Sequence, residues 1–286
     1  MKRAILIAPL LAGCVIGSDR YQRPRDLPSG HTVDRPRVLA IRLEPPEAAP
    51  GDTVTATALF PDPLDQVDVH LWLACPPELA TSIGCGVTAD DGLIGMEPGR
   101  PPSLTLPDTA LDGVEPNQLG SGIYWNVQVM GVPQDFITNP PTDASSLDFN
   151  QIESAYKRLV VSTNPQPNRN PDLVGFKLDD ADVAPDAIMS VRAGQRYKVE
   201  IVYADDAVED YTYTTSDGVE EQRTEEPYAT WYSTAGHWAN PFAMYPYGYT
   251  HWDAPTEVGV EGQLWAVVRD RRGGMGWAER AFVVAP

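Results

Sequence analysis

The segment Trp231–Trp252, WYSTAGHWANPFAMYPYGYTHW, carries eight aromatic side chains and two of the chain's four histidines. Tyrosine and tryptophan combine a flat apolar ring with a polar tip, the chemistry that recognition surfaces use against sugars and protein partners. Trp231, Tyr232, Trp238, Tyr245, Tyr247, Tyr249 and Trp252 are therefore the candidate ligand-binding residues, set on a long loop. The competing expectation is that the same rings pack the loop onto its own domain. His237, His251 and Asp253 offer imidazole and carboxylate groups of the kind that zinc accepts. Their spacing matches no closed ligand motif, so no metal is expected.

Other candidates carry less. Asp179, Asp180 and Asp182 form one acidic cluster, and Asp205, Asp206, Glu209 and Asp210 a second. Neither has the spacing of a calcium loop, and both read as solvated turns. Arg271-Arg272-Gly273-Gly274 could meet an anion, but alternating runs on both sides make it a hairpin turn. There is no glycine-rich phosphate loop, nucleophile elbow or zinc-protease helix motif. Paired carboxylates can hydrolyse glycosides, but only at a set separation in space, so no pair is nominated. No catalytic residue and no cofactor follow from the sequence.

The N-terminus reads as an address. Met1-Lys2-Arg3 precedes an apolar run from Ala4 to Gly13. That run is too short to cross a bilayer, which needs about 20 residues. It ends at Leu11-Ala12-Gly13-Cys14, which resembles the bacterial lipobox. The resemblance implies removal of residues 1–13 as a signal peptide and acylation of Cys14. It places the protein in the cell envelope, tethered to a membrane by lipid. Val15, rather than an aspartate, follows the cysteine, which favours the outer membrane by the sorting rule of enteric bacteria. The chain has three cysteines. With Cys14 acylated, Cys75 and Cys85 remain as one pair, and an oxidising compartment permits their disulfide.

The formal net charge is −19. Such a field repels nucleic acid and gives no electrostatic hold on anionic lipid. The remaining partners are the membrane through the anchor and an unidentified envelope protein or polysaccharide.

The elements that must position these residues are strands. Residues 14–36 show no apolar period and read as a lipidated tether. From residue 37 the period becomes two: Leu39, Ile41 and Leu43; Val54, Ala56 and Ala58; Val67 to Cys75 with His70 and Trp72 on the other side; Ile123 to Val129; Leu159 and Val161. Ser162–Pro171, STNPQPNRNP, reads as a junction. Alternation then resumes through Val174–Leu178, Tyr197–Tyr203 and Tyr228–Ser233, and ends in two runs around Arg271–Gly274. The best helical candidate, Ala144–Arg158, offers one or two turns. Twenty-eight prolines and 23 glycines oppose a helical fold. The expected class is all-β, with two β-sandwich domains at 37–163 and 172–286 joined by 164–171. Each half opens alike, with a strand, a proline-rich turn, a glycine and a second strand.

DRPRVLAIRLEPPEAAPGDTVTATAL, the NRNP junction, TWYSTAG and the terminal LWAVVRDRRGGMGW resemble surface lipoproteins with immunoglobulin-like domains found in myxobacteria and related bacteria. The resemblance implies two immunoglobulin-like sandwiches and a lipid anchor, and carries no activity. One departure is clear. Antibody-type domains bridge their two sheets by a disulfide, whereas Cys75 and Cys85 are close enough in sequence only to staple a loop after the strand bearing Trp72. The expected function is a non-enzymatic structural, adhesive or scaffold module. The alternatives are a glycan-binding module using 231–252 and, behind it, an extracellular hydrolase.

Overall fold

The computed structural model describes residues 30–81, 84–85, 93–95, 102–138, 152–215 and 218–286. The expected signal segment 1–13, Cys14 and the expected tether as far as residue 29 lie outside the described residues.

The chain is all-β. The N-terminal strands are β1 (Ala40–Glu44), β2 (Glu47–Ala48), β3 (Thr53–Leu59), β4 (Val69–Cys75), β5 (Ala80–Thr81), β6 (Gly84–Cys85), β7 (Leu93–Gly95), β8 (Ser103–Thr105), β9 (Ile123–Val132) and β10 (Glu153–Val161). One sheet has the order β1-β3-β8, and the facing sheet β2-β10-β9-β4-β7. Between β1 and β2 stand Pro45 and Pro46, which cannot donate to a ladder. They end β1 in one sheet and let the chain cross to the other, where β2 pairs parallel with β10. The core between the sheets includes Ile41, Leu43, Val54, Trp72, Trp125, Val127 and Leu159.

The C-terminal strands are β11 (Leu173–Leu178), β12 (Ala181–Val183), β13 (Met189–Arg192), β14 (Arg196–Tyr203), β15 (Asp210–Thr214), β16 (Glu220–Thr224), β17 (Tyr228–Ser233), β18 (His237–Trp238), β19 (Phe242–Met244), β20 (Tyr249–Asp253), β21 (Glu261–Arg269) and β22 (Met275–Ala285). They form sheets β12-β11-β14-β20-β18 and β13-β22-β21-β17-β19. A short early strand again pairs parallel with the last one, here β13 with β22. The separate hairpin β15–β16 stands outside both sheets. In each half the first and second long strands share one sheet, and the last strand lies between the crossed-over segment and its predecessor. This is the strand arrangement of immunoglobulin-like sandwiches.

The similar openings of the two halves thus correspond to one topological device used twice. The terminal hairpin also forms: β21 and β22 pair from Glu261↔Val283 to Arg269↔Met275. Its turn places Arg271 at φ 71° and Gly273 at φ 126°.

Three expectations change. The helical candidate Ala144–Arg158 is a strand wherever it is described. Glu153–Val161 pairs along its length with β9, because the long-range ladder outweighs a weak helical period. On β4, Trp72 and Ala74 face the core, while Leu73 and Cys75 lie on the outer face and are buried there too. The cover is local: Cys75 is bonded to Cys85, and β6 lies against β4 and β9. Asn126 Nδ2 donates to Gly84 O at 3.2 Å, and Cys85 N donates to Gln128 Oε1 at 2.9 Å.

The end of the expected tether is not a free spacer. Val33 N donates to Ser233 O at 2.8 Å, and Ser233 N donates to His31 O at 3.0 Å. Val33 is only 1% exposed. It joins Leu39, Ala40 and Leu59 of the first half and Trp265, Val267 and Met275 of the second in an apolar cluster between the sandwiches. A single valine among polar neighbours leaves no periodic trace in sequence, yet here it fills a seam.

Candidate functional site

The aromatic segment is not a loop. It contains β17 to β20, and the two-residue period of strands sorts its side chains. Along β20, Tyr249 and His251 point outward while Thr250 and Trp252 point inward. Along β19, Phe242 and Met244 are exposed around buried Ala243. On β18, His237 is exposed and Trp238 buried. The sequence-predicted residues therefore divide. Trp231, Trp238 and Trp252 are core, and they cannot stack on a ligand. Trp231 and Trp238 have ring centroids 5.5 Å apart, Phe176 meets Trp231 edge-on at 5.4 Å, and Phe282 meets Trp252 at 4.9 Å. Tyr232 is half-buried, 5.3 Å from the His31 ring.

What remains outward is Phe242 and Met244 on β19 of one sheet, Tyr249 on β20 of the other, and Tyr245 and Tyr247 in the connection between them, with Tyr247 71% exposed. Tyr245 packs edge-on against Tyr203 at 5.3 Å. Burial pushes the Tyr203 phenol above its ordinary range, so it stays neutral. Lys198 Nζ lies 4.8 Å from the centre of the Tyr249 ring. These contacts fix the bases of the rings while leaving faces open. Phe242 and Met244 were not singled out from the sequence. The alternation around Ala243 was the available signal.

Several of the other candidates are occupied by their own chain. Asp253 binds Arg196 bidentately, at 2.6 and 2.9 Å, and that guanidinium holds its carboxyl below the usual range. With both oxygens engaged, Asp253 is a poor ligand beside His237 and His251. Lys198 pairs with Asp180 at 2.5 Å, and Arg169 with Glu209 at 2.5 Å and Asp206 at 3.7 Å. Among the described residues, no three His, Cys, Asp or Glu side chains converge on a metal-sized site. Arg271 meets Glu226 at 3.3 Å. Arg272 meets Glu225 at 2.9 Å, Glu209 at 3.3 Å and Glu47 at 3.9 Å.

That last set belongs to a polar joint which the sequence did not reveal. Glu47, on β2, accepts from Ser162 Oγ at 2.6 Å and from Asn168 N at 2.6 Å. Asn168 Nδ2 passes the connection to Asp270 Oδ2 at 2.7 Å, and Asp270 also accepts from the backbone N–H groups of Arg272, Gly273 and Gly274. Asn170 donates to Leu43 O at 2.7 Å and accepts from Met275 N at 2.8 Å. The junction 164–171 is thereby bonded to both sandwiches. Buried Glu225 is raised to about 7, chiefly by desolvation, against the pull of Arg272 and of the Glu209 backbone N–H.

A cleft of about 600 Å³ also lies between the halves, lined in part by Asp62, Trp265, Glu279 and Arg280. Two of its three carboxylates, Asp62 and Glu279, have structural duties. Asp62 caps the N–H groups of Gln66 and Val67 at 2.7 Å, and Glu279 accepts from the Trp265 indole at 3.1 Å.

No protein-family model and no curated protein matches the chain. Solved structures give distant likenesses. The fibronectin(III)-like modules of Clostridium thermocellum CbhA are 11% identical, with 86% of this chain and 94% of that chain covered and a TM-score of 0.27. The N-terminal Ig1-2 module of the Drosophila receptor protein tyrosine phosphatase DLAR is 9% identical, covering 88% and 100%, at 0.27. The two tandem V-type regions of VCBP3, a v-region-containing chitin binding protein, are 15% identical, covering 86% and 100%, at 0.30. Overlap at this level carries no function across.

Proposed function

We propose that the protein is a non-enzymatic, lipid-anchored module of the cell envelope, structural or adhesive in role, which presents the Phe242–Tyr249 face on a fixed pair of sandwiches. The observation that carries this reading is the set of outward side chains Phe242, Met244, Tyr245, Tyr247 and Tyr249 within eight residues, on β19, on β20 and in the connection between them, while Ala243, Thr250 and Trp252 point into the core. Large apolar side chains left exposed close together in the chain favour an interaction surface. Rigid rings lose little entropy when a partner covers them.

The anchor rests on the lipobox-like Leu11–Cys14. Replacing Cys14 by serine and fractionating cells tests it: the variant should leave the membrane fraction, and unchanged retention contradicts the anchor. For the face, a photo-reactive residue at position 247 should crosslink to a discrete envelope component, and the yield should fall with Met244→Ser. Crosslinking equal to that from exposed Glu257 on the same domain contradicts the assignment. A second reading, a polysaccharide partner for this face, is favoured by its tyrosines. A glycan array with Tyr247→Ala distinguishes the two.

A further inference from the structure

A second concave surface lies away from that face, where the β15–β16 hairpin of the C-terminal half approaches the loops of the N-terminal half. It is a groove of about 590 Å³, the size of a small-ligand site at a domain junction. The chain carries one charged residue in five and a net charge of −19, yet no residue lining this groove is charged. The lining instead combines two tyrosines, Tyr124 and Tyr213, with Asn117, Gln118, Ser121 and Thr214. Both rings are open to solvent, at 53% and 40% exposure.

The groove is built. Arg223 lies over Tyr213 at 3.9 Å and is itself neutralised by Glu221 at 2.6 Å, so one ring face is backed and the other remains for a ligand. Arg158 lies 5.6 Å from the Tyr124 ring. The loop before β9 is closed by Gly122 at φ +72°, whose N–H donates to Gln118 O at 2.8 Å. A Cβ at Gly122 would come within 2.5 Å of Val161 O, so the turn admits only glycine. The base of the hairpin is fixed by Arg272, which lies 4.3 Å from the Tyr211 ring centre and is held in the polar joint. The N-terminal wall is therefore set before any ligand arrives, and the hairpin wall is held at its base, which lowers the entropy lost on binding.

Uncharged amides and hydroxyls beside aromatic faces match a ligand with many hydroxyls, apolar C–H faces and no charge. We infer that the groove between Tyr124 and Tyr213 binds a neutral oligosaccharide. Among the described residues, no cation lines the groove for an anionic polymer or a carboxylate terminus: Arg223, over Tyr213, is paired with Glu221, and Arg158 is the one further cation placed beside its rings. The site is separate from the Phe242–Tyr249 face and independent of the lipid anchor.

The test is titration calorimetry of the full chain carrying Cys14→Ser against cellohexaose, maltohexaose, mannohexaose and chitohexaose, with polygalacturonate as the anionic comparison. At least one neutral hexamer should bind. Tyr124→Ala and Tyr213→Ala should each weaken it roughly tenfold, as loss of a stacked ring predicts, while Glu257→Ala, at an exposed position outside both surfaces, leaves it unchanged. Both tyrosines are exposed, and unaltered thermal unfolding of the variants confirms that they fold. Failure of all four hexamers to bind, binding confined to polygalacturonate, or binding lost with Tyr247→Ala but kept in the groove variants would overturn the proposal. Loss with Tyr247→Ala alone would instead favour a saccharide on the Phe242–Tyr249 face.

Discussion

Asn168 Nδ2 donates to Asp270 Oδ2 at 2.7 Å, and both side chains are buried, Asp270 to 1% exposure. One residue belongs to the proline-rich junction and the other to the terminal hairpin. Through Glu47, which accepts from Asn168 N, the same junction is tied to the first sandwich. A stretch composed like a flexible linker is thus an ordered part of the fold, because its amides find carboxylate partners that water would otherwise supply.

Asp270→Ala removes the acceptor of three backbone N–H groups and one amide at a site without water access. Leaving buried donors unpaired should cost about 3 kcal/mol. Urea unfolding followed by tryptophan fluorescence measures it. Asp270→Asn, which retains acceptor capacity, should cost less, and equal losses in the two variants would show that charge rather than hydrogen bonding holds the turn.

Glu225 gives the joint a pH dependence. Its folded pKa, about 7, stands above the ordinary 4.5 because burial disfavours the anion. The stability that this shift contributes is complete below about pH 4.5 and is lost as pH rises through about 7. Glu225→Gln stays neutral throughout and keeps a hydrogen-bond acceptor for Arg272. Relative to the variant, the wild type should lose about 1–3 kcal/mol between pH 4.5 and 8. Thermal unfolding of both proteins across that range reads the difference, and a constant offset would be evidence against the shift.

The aromatic segment should respond to substitution as its alternation dictates. Trp252→Ala empties a core position against Phe282 and should cost about 3–5 kcal/mol. Tyr247→Ala, on the surface, should change stability by no more than about 0.5 kcal/mol. Chemical denaturation of the two variants would expose a wrong register if their effects were alike.

The Cys75–Cys85 bridge closes a loop of sequence separation 10 over the outer face of β4 and β9. Replacing both cysteines by serine should destabilise the chain by about 2–3 kcal/mol. The same chain under reducing conditions should match the double variant, which differential scanning calorimetry can check.

Much of this architecture was legible before any coordinates. Thr53–Leu59 alternates threonine with apolar residues, and its strand follows directly. The terminal hairpin is announced by two alternating runs around a glycine pair. Other features depend on neighbours distant in sequence. Glu153–Val161 is a strand because β9 pairs with it. Val33 gives no period of its own, and its role appears only when Leu59 and Trp265 meet around it. Glu47, Asn168 and Asp270 are each ordinary surface residues by type, and only their convergence makes a joint. The aromatic segment stands out by composition, but composition does not say which face of a strand a ring occupies. Tyr124 and Tyr213 carried no signal, since they lie far apart in the chain and only the fold brings them to one groove.

The two sandwiches form one fixed body, held by the Val33–Trp265 seam and the Glu47–Asn168–Asp270 joint, so that both candidate surfaces keep constant positions. Double electron–electron resonance tests it most directly, with nitroxides on exposed strand positions, Thr57→Cys in the first sandwich and Ser190→Cys in the second, in a Cys14→Ser chain that retains its disulfide. A single narrow distance distribution, broadened by adding Asp270→Ala, is the expected result. A broad or multi-peaked distribution in the otherwise wild-type chain would contradict a fixed joint.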